Sequence, residues 1–160
     1  MESLRIGFGT DCHRLKTGES LILGGVKISS KVGTVAHSDG DVICHAICDS
    51  LLGAAGLGDI GEHFPDSDPQ FAGIDSTDLL RRVIQMLNSN DFSISNVDIT
   101  VITEKPKLTP YKDKIQNNLK EIIKSPLNIK ATTKESLGYI GEGRAIEARA
   151  VSLLYKNKES

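Results

Sequence analysis

The sequence predicts an α+β fold in which a layer of helices covers one face of a small mixed sheet. Three observations carry this reading. Stretches with apolar residues at every second position alternate along the chain with longer stretches of helical spacing. Some neighbouring strands are joined by connections suited to antiparallel pairing, while others are separated by whole helices. The 160 residues, 39% hydrophobic and 25% charged, contain no repeat, low-complexity tract or linker, so a single domain spans residues 1–160.

RIGFGTDC reads as a strand that reaches its polar end at Asp11, and SLILGGVKI as two short extended pieces around a Gly24-Gly25 turn. From Asp39 the period changes. Val42, Ile43, Ala46, Ile47, Leu51 and Leu52 recur at helical spacing behind an acidic start, and the glycines from Gly53 to Gly58 end that helix. DIGEHFPDSDPQFAGIDS, with Pro65 and Pro69 among its acids, reads as an ordered loop. A second helix starts at a Ser76 cap and repeats Leu79, Leu80, Val83, Ile84 and Leu87. ISNVDITVITEK alternates as a strand. TPYKDKIQNNLKEIIKS has Pro110 in its first turn and Ile115, Leu119, Ile122 and Ile123 on one face, hence a third helix. LNIKATT and RAIEARAVSLLYK supply the last two strands.

Aromatics make up 4% of the chain, with no Trp and 15 Gly, so the core rests on Ile, Leu, Val and Ala and a homo-oligomer is expected. A formal charge of −2 without a long basic run argues against nucleic acid or an anionic membrane as partner. Cys12, Cys44 and Cys48 are odd in number and lack a C-x-x-C pair, which predicts free thiols in a reducing compartment. The strand-like start leaves no apolar core for a signal peptide, and a cytoplasmic chain is expected, or a plastid-type compartment if a transit peptide has been removed.

Asp11 and His13, two apart on an extended segment, point to the same face, as two metal ligands or an acid and its base would. On the first helix Asp41, His45 and Asp49 follow at i, i+4 and i+8 along one stripe, where Asp41 either supports His45 or solvates the helix. Asp11, His13 and His45 together offer a carboxylate and two imidazoles to a divalent metal with a position left open. The same residues also suit plainer roles, His13 as a turn cap, His45 as a satisfied half-buried histidine and Asp11 as a loop acid. Downstream, Thr132, Thr133 and Glu135 leave a strand in a turn that suits phosphate oxygens and a bridging magnesium, or an ordinary cap. Lys105 and Lys107 around Pro106 add local positive charge, or solvated surface.

D-x-H at Asp11 and His13, AHSDGDVICHAICDSLLGAAGLGDIGEHFPDSDP, VDITVITEKPKL and KATTKESLGYIGEG occur in one order over nearly the whole chain. In these motifs the chain resembles the 2-C-methyl-D-erythritol 2,4-cyclodiphosphate synthase family, and the resemblance implies a ferredoxin-like arrangement of the sheet and helices. It implies zinc on Asp11, His13 and His45, and a second divalent cation, Mg2+ or Mn2+, near Glu135. His37 and Ser38 would contact substrate beside the zinc, and Asp59, Ile60 and Gly61 the ribose and diphosphate region. Phe64, Pro65, Asp66, Ser67 and Asp68 would shape the methylerythritol pocket. Thr103, Lys107 and Leu108 with Ala131, Thr132 and Thr133 would form the cytidine pocket, and Tyr139 would join the substrate contacts. His37 and Thr133 would stabilise the transition state, in a homotrimer whose sites lie between subunits.

The implied reaction suits these residue types. The substrate, 4-diphosphocytidyl-2-C-methyl-D-erythritol 2-phosphate, closes when its 2-phosphate oxygen attacks the β-phosphorus and expels CMP, leaving the 2,4-cyclodiphosphate. A phosphate monoester with a second pKa of about 6 is already largely dianionic at neutral pH and needs little help from a base. The barrier lies in anion repulsion and ring closure, which call for cations, amides and positioning. Two other classes are open to the same residues: a zinc phosphoesterase that sends water to phosphorus, and a nucleotide-binding module without turnover. Glu142 and Arg144 exchange the charges many relatives carry there, an arrangement suited to a subunit-subunit ion pair, and the exchange bears on whether an axial cavity takes isoprenoid diphosphates.

Overall fold

A computed structural model of the chain describes residues 3–157. The strands are β1 (Leu4–Thr17), β2 (Leu21–Leu23), β3 (Val26–Ile28), β4 (Val32–Thr34), β5 (Phe92–Ile102), β6 (Leu127–Thr132) and β7 (Ala145–Lys156). The helices are α1 (Val42–Ala55), α2 (Ile60–His63), α3 (Ser76–Ser89), α4 (Lys112–Ile123) and α5 (Gly138–Gly141). Five strands form one mixed sheet in the order β4-β1-β7-β5-β6, and β2 and β3 form a separate hairpin. Only the β5–β6 pair is parallel among the described residues, joined through α4 as a parallel connection requires. This is the α+β arrangement expected, with α1, α3 and α4 on one face of the sheet.

Glycine lets α1 lie directly on β1. A Cβ at Gly9 would come within 2.0 Å of the Ala46 carbonyl oxygen, and one at Gly7 within 1.8 Å of that of Ser50. Ile43, Ile47, Leu51 and Leu52 of α1 are then fully buried in one core with Ile99, Ile129, Leu80, Leu87, Ile115 and Leu119. Each such side chain contributes about 1.5–3 kcal/mol on leaving water. The opposite sheet face stays bare: Leu4, Ile6, Phe8 and Val151 are 63%, 75%, 61% and 45% exposed.

Several local expectations change. The first strand does not stop at Asp11 but continues to Thr17, because β7 pairs with it as far as Arg14 and β4 from Leu15 onward. The segment from Asp59 to Ser76 is not all loop. Asp59 caps α2, and Asp68 caps a 3-10 turn over Pro69–Phe71. The cap of α3 is Asp75, which accepts from Thr77 N–H at 2.8 Å, while Ser76 is inside the helix and buried. Pro110 lies in a 3-10 turn ahead of α4. Asp41 does not solvate the helix: it is the buried α1 cap, and its carboxylate is engaged by backbone N–H groups rather than by the His45 ring. Its oxygens accept from Ile43 and Cys44 N–H (3.1 Å each) and from Gly24 and Gly25 N–H of the hairpin turn (2.9 and 2.7 Å). Glu142 and Arg144 pair with each other within the chain, Nε to Oε2 at 2.7 Å.

Candidate active site

β1 delivers Asp11 and His13 on its helix-facing side, and α1 delivers His45 from its first turns, seated by the same glycines that bring the helix onto the strand. His13 Nδ1 and His45 Nδ1 each lie 3.0 Å from Asp11 Oδ2. One candidate ligand atom from each of the three residues lies within 4.8 Å of the others. His13 Nδ1 is buried and has no hydrogen-bond partner, since its approach to Asp11 is poorly aligned. A buried nitrogen left without a partner is costly. A cation between these three groups removes that cost, and a carboxylate with two imidazoles is the donor set of a borderline ion such as zinc. The residues therefore fit a metal.

Burial alone would raise the Asp11 carboxyl, but the two imidazoles of His13 and His45 close beside it outweigh burial and bring the pKa from 3.8 down to about 2. Burial would lower His45, yet its hydrogen bond to Asp11 and the Asp11, Asp41 and Asp39 charges leave it raised above 6.5. On the far side of the ring, His45 Nε2 meets Ser76 Oγ at 2.9 Å, and Ser76 Oγ in turn meets Asp39 Oδ1.

The triad opens on a cavity of about 580 Å³. His37, Ser38, Asp59, Ile60, Gly61, Phe64, Pro65 and Asp66 line it, all of them residues that the sequence motifs mark. Asp49 lines it as well and accepts from Ile60 N–H at 3.0 Å, which holds the start of α2 against the cavity. Its place on the Asp41–His45–Asp49 stripe was the only signal for it. Ser67 and Asp68 do not line this cavity, and Asp68 is occupied with capping.

The second group expected at the site does not reach the cavity within one chain. Thr103, Leu108, Ala131, Thr132, Thr133 and Glu135 lie at or beyond the ends of β5 and β6. Leu108 is buried in the core, and Tyr139 is exposed on α5. Thr133 Oγ1 donates to Glu135 Oε1 at 2.7 Å, and Lys134 N–H donates to Glu104 Oε1 at 2.7 Å. Lys107, Lys105 and Glu104 line a separate hollow of about 910 Å³.

The chain matches the model of the YgbB family over residues 4–155. It is 49% identical to the 2-C-methyl-D-erythritol 2,4-cyclodiphosphate synthase of Halothermothrix orenii, over 98% of this chain and 96% of that protein. It is also 49% identical to the synthase of Clostridium perfringens, over 96% of this chain and 100% of that one. Among solved structures, a 2-C-methyl-D-erythritol 2,4-cyclodiphosphate synthase in its CDP-bound form superposes with a TM-score of 0.88 at 38% identity, covering 94% of this chain and 99% of that chain. The bifunctional IspDF of Campylobacter jejuni superposes with a TM-score of 0.94 at 37% identity, covering 99% of this chain but 44% of that longer one. With its fold, its Asp-His-His cluster and nearly its whole length matching, the chain belongs to the YgbB family, that of the 2-C-methyl-D-erythritol 2,4-cyclodiphosphate synthases.

Proposed function

We propose that the chain is a phosphorus-oxygen lyase that converts 4-diphosphocytidyl-2-C-methyl-D-erythritol 2-phosphate into 2-C-methyl-D-erythritol 2,4-cyclodiphosphate and CMP. The observation that carries this is the convergence of Asp11, His13 and His45 at one wall of a cavity, in a chain whose solved relatives include complexes with CDP. The 2-phosphate oxygen forms a bond to the β-phosphorus, and the bond from that phosphorus to the oxygen bridging to the α-phosphorus breaks, so that oxygen leaves with CMP. Asp11, His13 and His45 would hold zinc, which when bound supplies Lewis-acid polarisation of a phosphoryl oxygen. One carboxylate charge against a divalent ion leaves the site net positive, which favours a phosphate ligand.

His37 and Ser38 flank the triad to orient the diphosphate, and Asp59, Ile60 and Gly61 hold the ribose side, with Phe64, Pro65 and Asp66 enclosing the methylerythritol part. Thr103, Lys107, Leu108, Ala131, Thr132 and Thr133 take the cytidine and its α-phosphate, with Tyr139 nearby and Glu135 facing a second cation, magnesium or manganese. His37 and Thr133 restrain the reacting phosphates as charge redistributes. Because that second group stands apart from the cavity in one chain, the complete site is assembled between subunits of a homotrimer, for which the bare apolar face of Leu4, Ile6, Phe8 and Val151 offers the contact. The buried free thiols of Cys44 and Cys48 suit a reducing cytoplasm.

Incubating the purified protein with authentic substrate, with CMP and phosphorus NMR of the second product followed together, tests this. Equal release of CMP and cyclic product is expected. CMP accompanied by an uncyclised bisphosphate would instead identify a phosphoesterase.

A further inference from the structure

We propose that Ser76 and Asp39 are positioning residues that lock the proton of His45 on Nε2 and so present its Nδ1 lone pair to the metal. This rests on the metal reading above, and adds what decides the affinity of the site. Ser76 is completely buried in the first turn of α3, and its hydroxyl lies between Asp39 Oδ1 and His45 Nε2, the latter at 2.9 Å. Asp39 is surrounded by donors. Its Oδ2 accepts from Ser76 N–H at 3.0 Å, and its Oδ1 accepts from Asp41 N–H at 3.2 Å as well as from Ser76 Oγ.

Counting protons gives the direction of the chain. A carboxylate only accepts, so the single Ser76 hydroxyl proton goes to Asp39 and leaves only lone pairs for the imidazole. His45 Nε2 must therefore carry a hydrogen. A neutral imidazole has one N–H, so Nδ1 is then an acceptor, and it faces another acceptor, Asp11 Oδ2, at 3.0 Å. Two facing lone pairs at that distance are satisfied only by a proton or a metal cation between them. The relay thus makes the gap between Asp11 and His45 a cation site before any ligand arrives. It also spans three segments, since Asp39 belongs to the loop that carries His37 and Ser38, His45 to α1 and Ser76 to α3.

Ser76→Ala removes the hydroxyl without adding bulk, and Ser76→Thr retains it. Zinc affinity is read by competition with a chelator, and the His45 tautomer by nitrogen-15 NMR of metal-free protein at alkaline pH, where the ring is neutral. Zinc is expected to bind roughly 10- to 100-fold more weakly to Ser76→Ala, with Ser76→Thr close to wild type. The metal-free wild type should show the Nε2–H form, and Ser76→Ala a mixture with Nδ1–H. Unchanged zinc affinity in Ser76→Ala, or an Nδ1–H tautomer in the wild type, overturns the proposal. A wild type that binds no zinc would sink the metal reading instead, and the tautomer measurement would still decide the relay.

Discussion

Two imidazole nitrogens converge on one oxygen of Asp11, and the charges involved fix how the metal-free protein responds to pH. Asp11 is depressed from 3.8 to about 2, so its pairing stabilises the fold above pH 3.8 and that contribution is lost as pH falls through about 2. His45 is raised above 6.5, so its share is complete below pH 6.5 and disappears as pH rises through the raised value. Urea unfolding with a chelator present should show both losses, and added zinc should remove the alkaline one. His45→Ala should stay folded while losing bound zinc and turnover together, and elemental analysis showing zinc unchanged would remove His45 from the ligand set. The pairing of Asp11 with His13 was legible in the sequence because strand periodicity is local. That His45 joins them could be read from the residue types only as one option among plainer roles, and the family's motifs favoured it, since no spacing rule connects a strand to a distant helix. Asp39 and Ser76 gave no signal, because their link depends on how α3 docks.

Helix α1 is held at one end by Asp41 and along its length by Gly7 and Gly9. Asp41→Ala would strand four N–H donors, those of Gly24, Gly25, Ile43 and Cys44, and each buried donor left unpaired costs about 1–3 kcal/mol. A loss of at least about 3 kcal/mol in denaturant unfolding is expected, and a loss under about 1 kcal/mol would mean that water replaces the carboxylate. Gly9→Ala forces a methyl against the Ala46 carbonyl and must lift α1, so His45 should move off Asp11 and zinc should bind weakly even where circular dichroism shows the helices retained. The long elements were readable from period alone, α1, α3 and β5 above all. β4 and α5 were not, since elements so short hold too little periodicity to register, and Asp41 was misread because a helical stripe says nothing about where the helix begins.

Across the whole molecule, the separation of the two residue groups in one chain makes a direct prediction about assembly. His45→Ala and Thr133→Val should each be inactive alone and partly restore activity when co-assembled; mixed assemblies of verified composition that stay inactive would place the site within one chain. The Glu142–Arg144 pair, more than half exposed in the single chain, should contribute little within that chain, with reversal of either charge shifting its stability by no more than about 1 kcal/mol. The helical layer over the sheet was foreseeable, but the order of strands was not, because pairing between the two ends of a chain leaves no local trace. That order has a consequence in time. β7 follows the other described strands in the chain and is also the central one, flanked by β1 and β5, and it pairs with Asp11 and His13 through Ala148 and Ile146. Until it emerges, β1 waits with its glycine-lined face and both of its ligands unsupported, a long-range closure of the kind that folds slowly and exposes sheet edges meanwhile. Nascent chains halted before Ala145 should bind no zinc and recruit chaperones, and capture of the metal should wait until β7 has emerged and paired with β1.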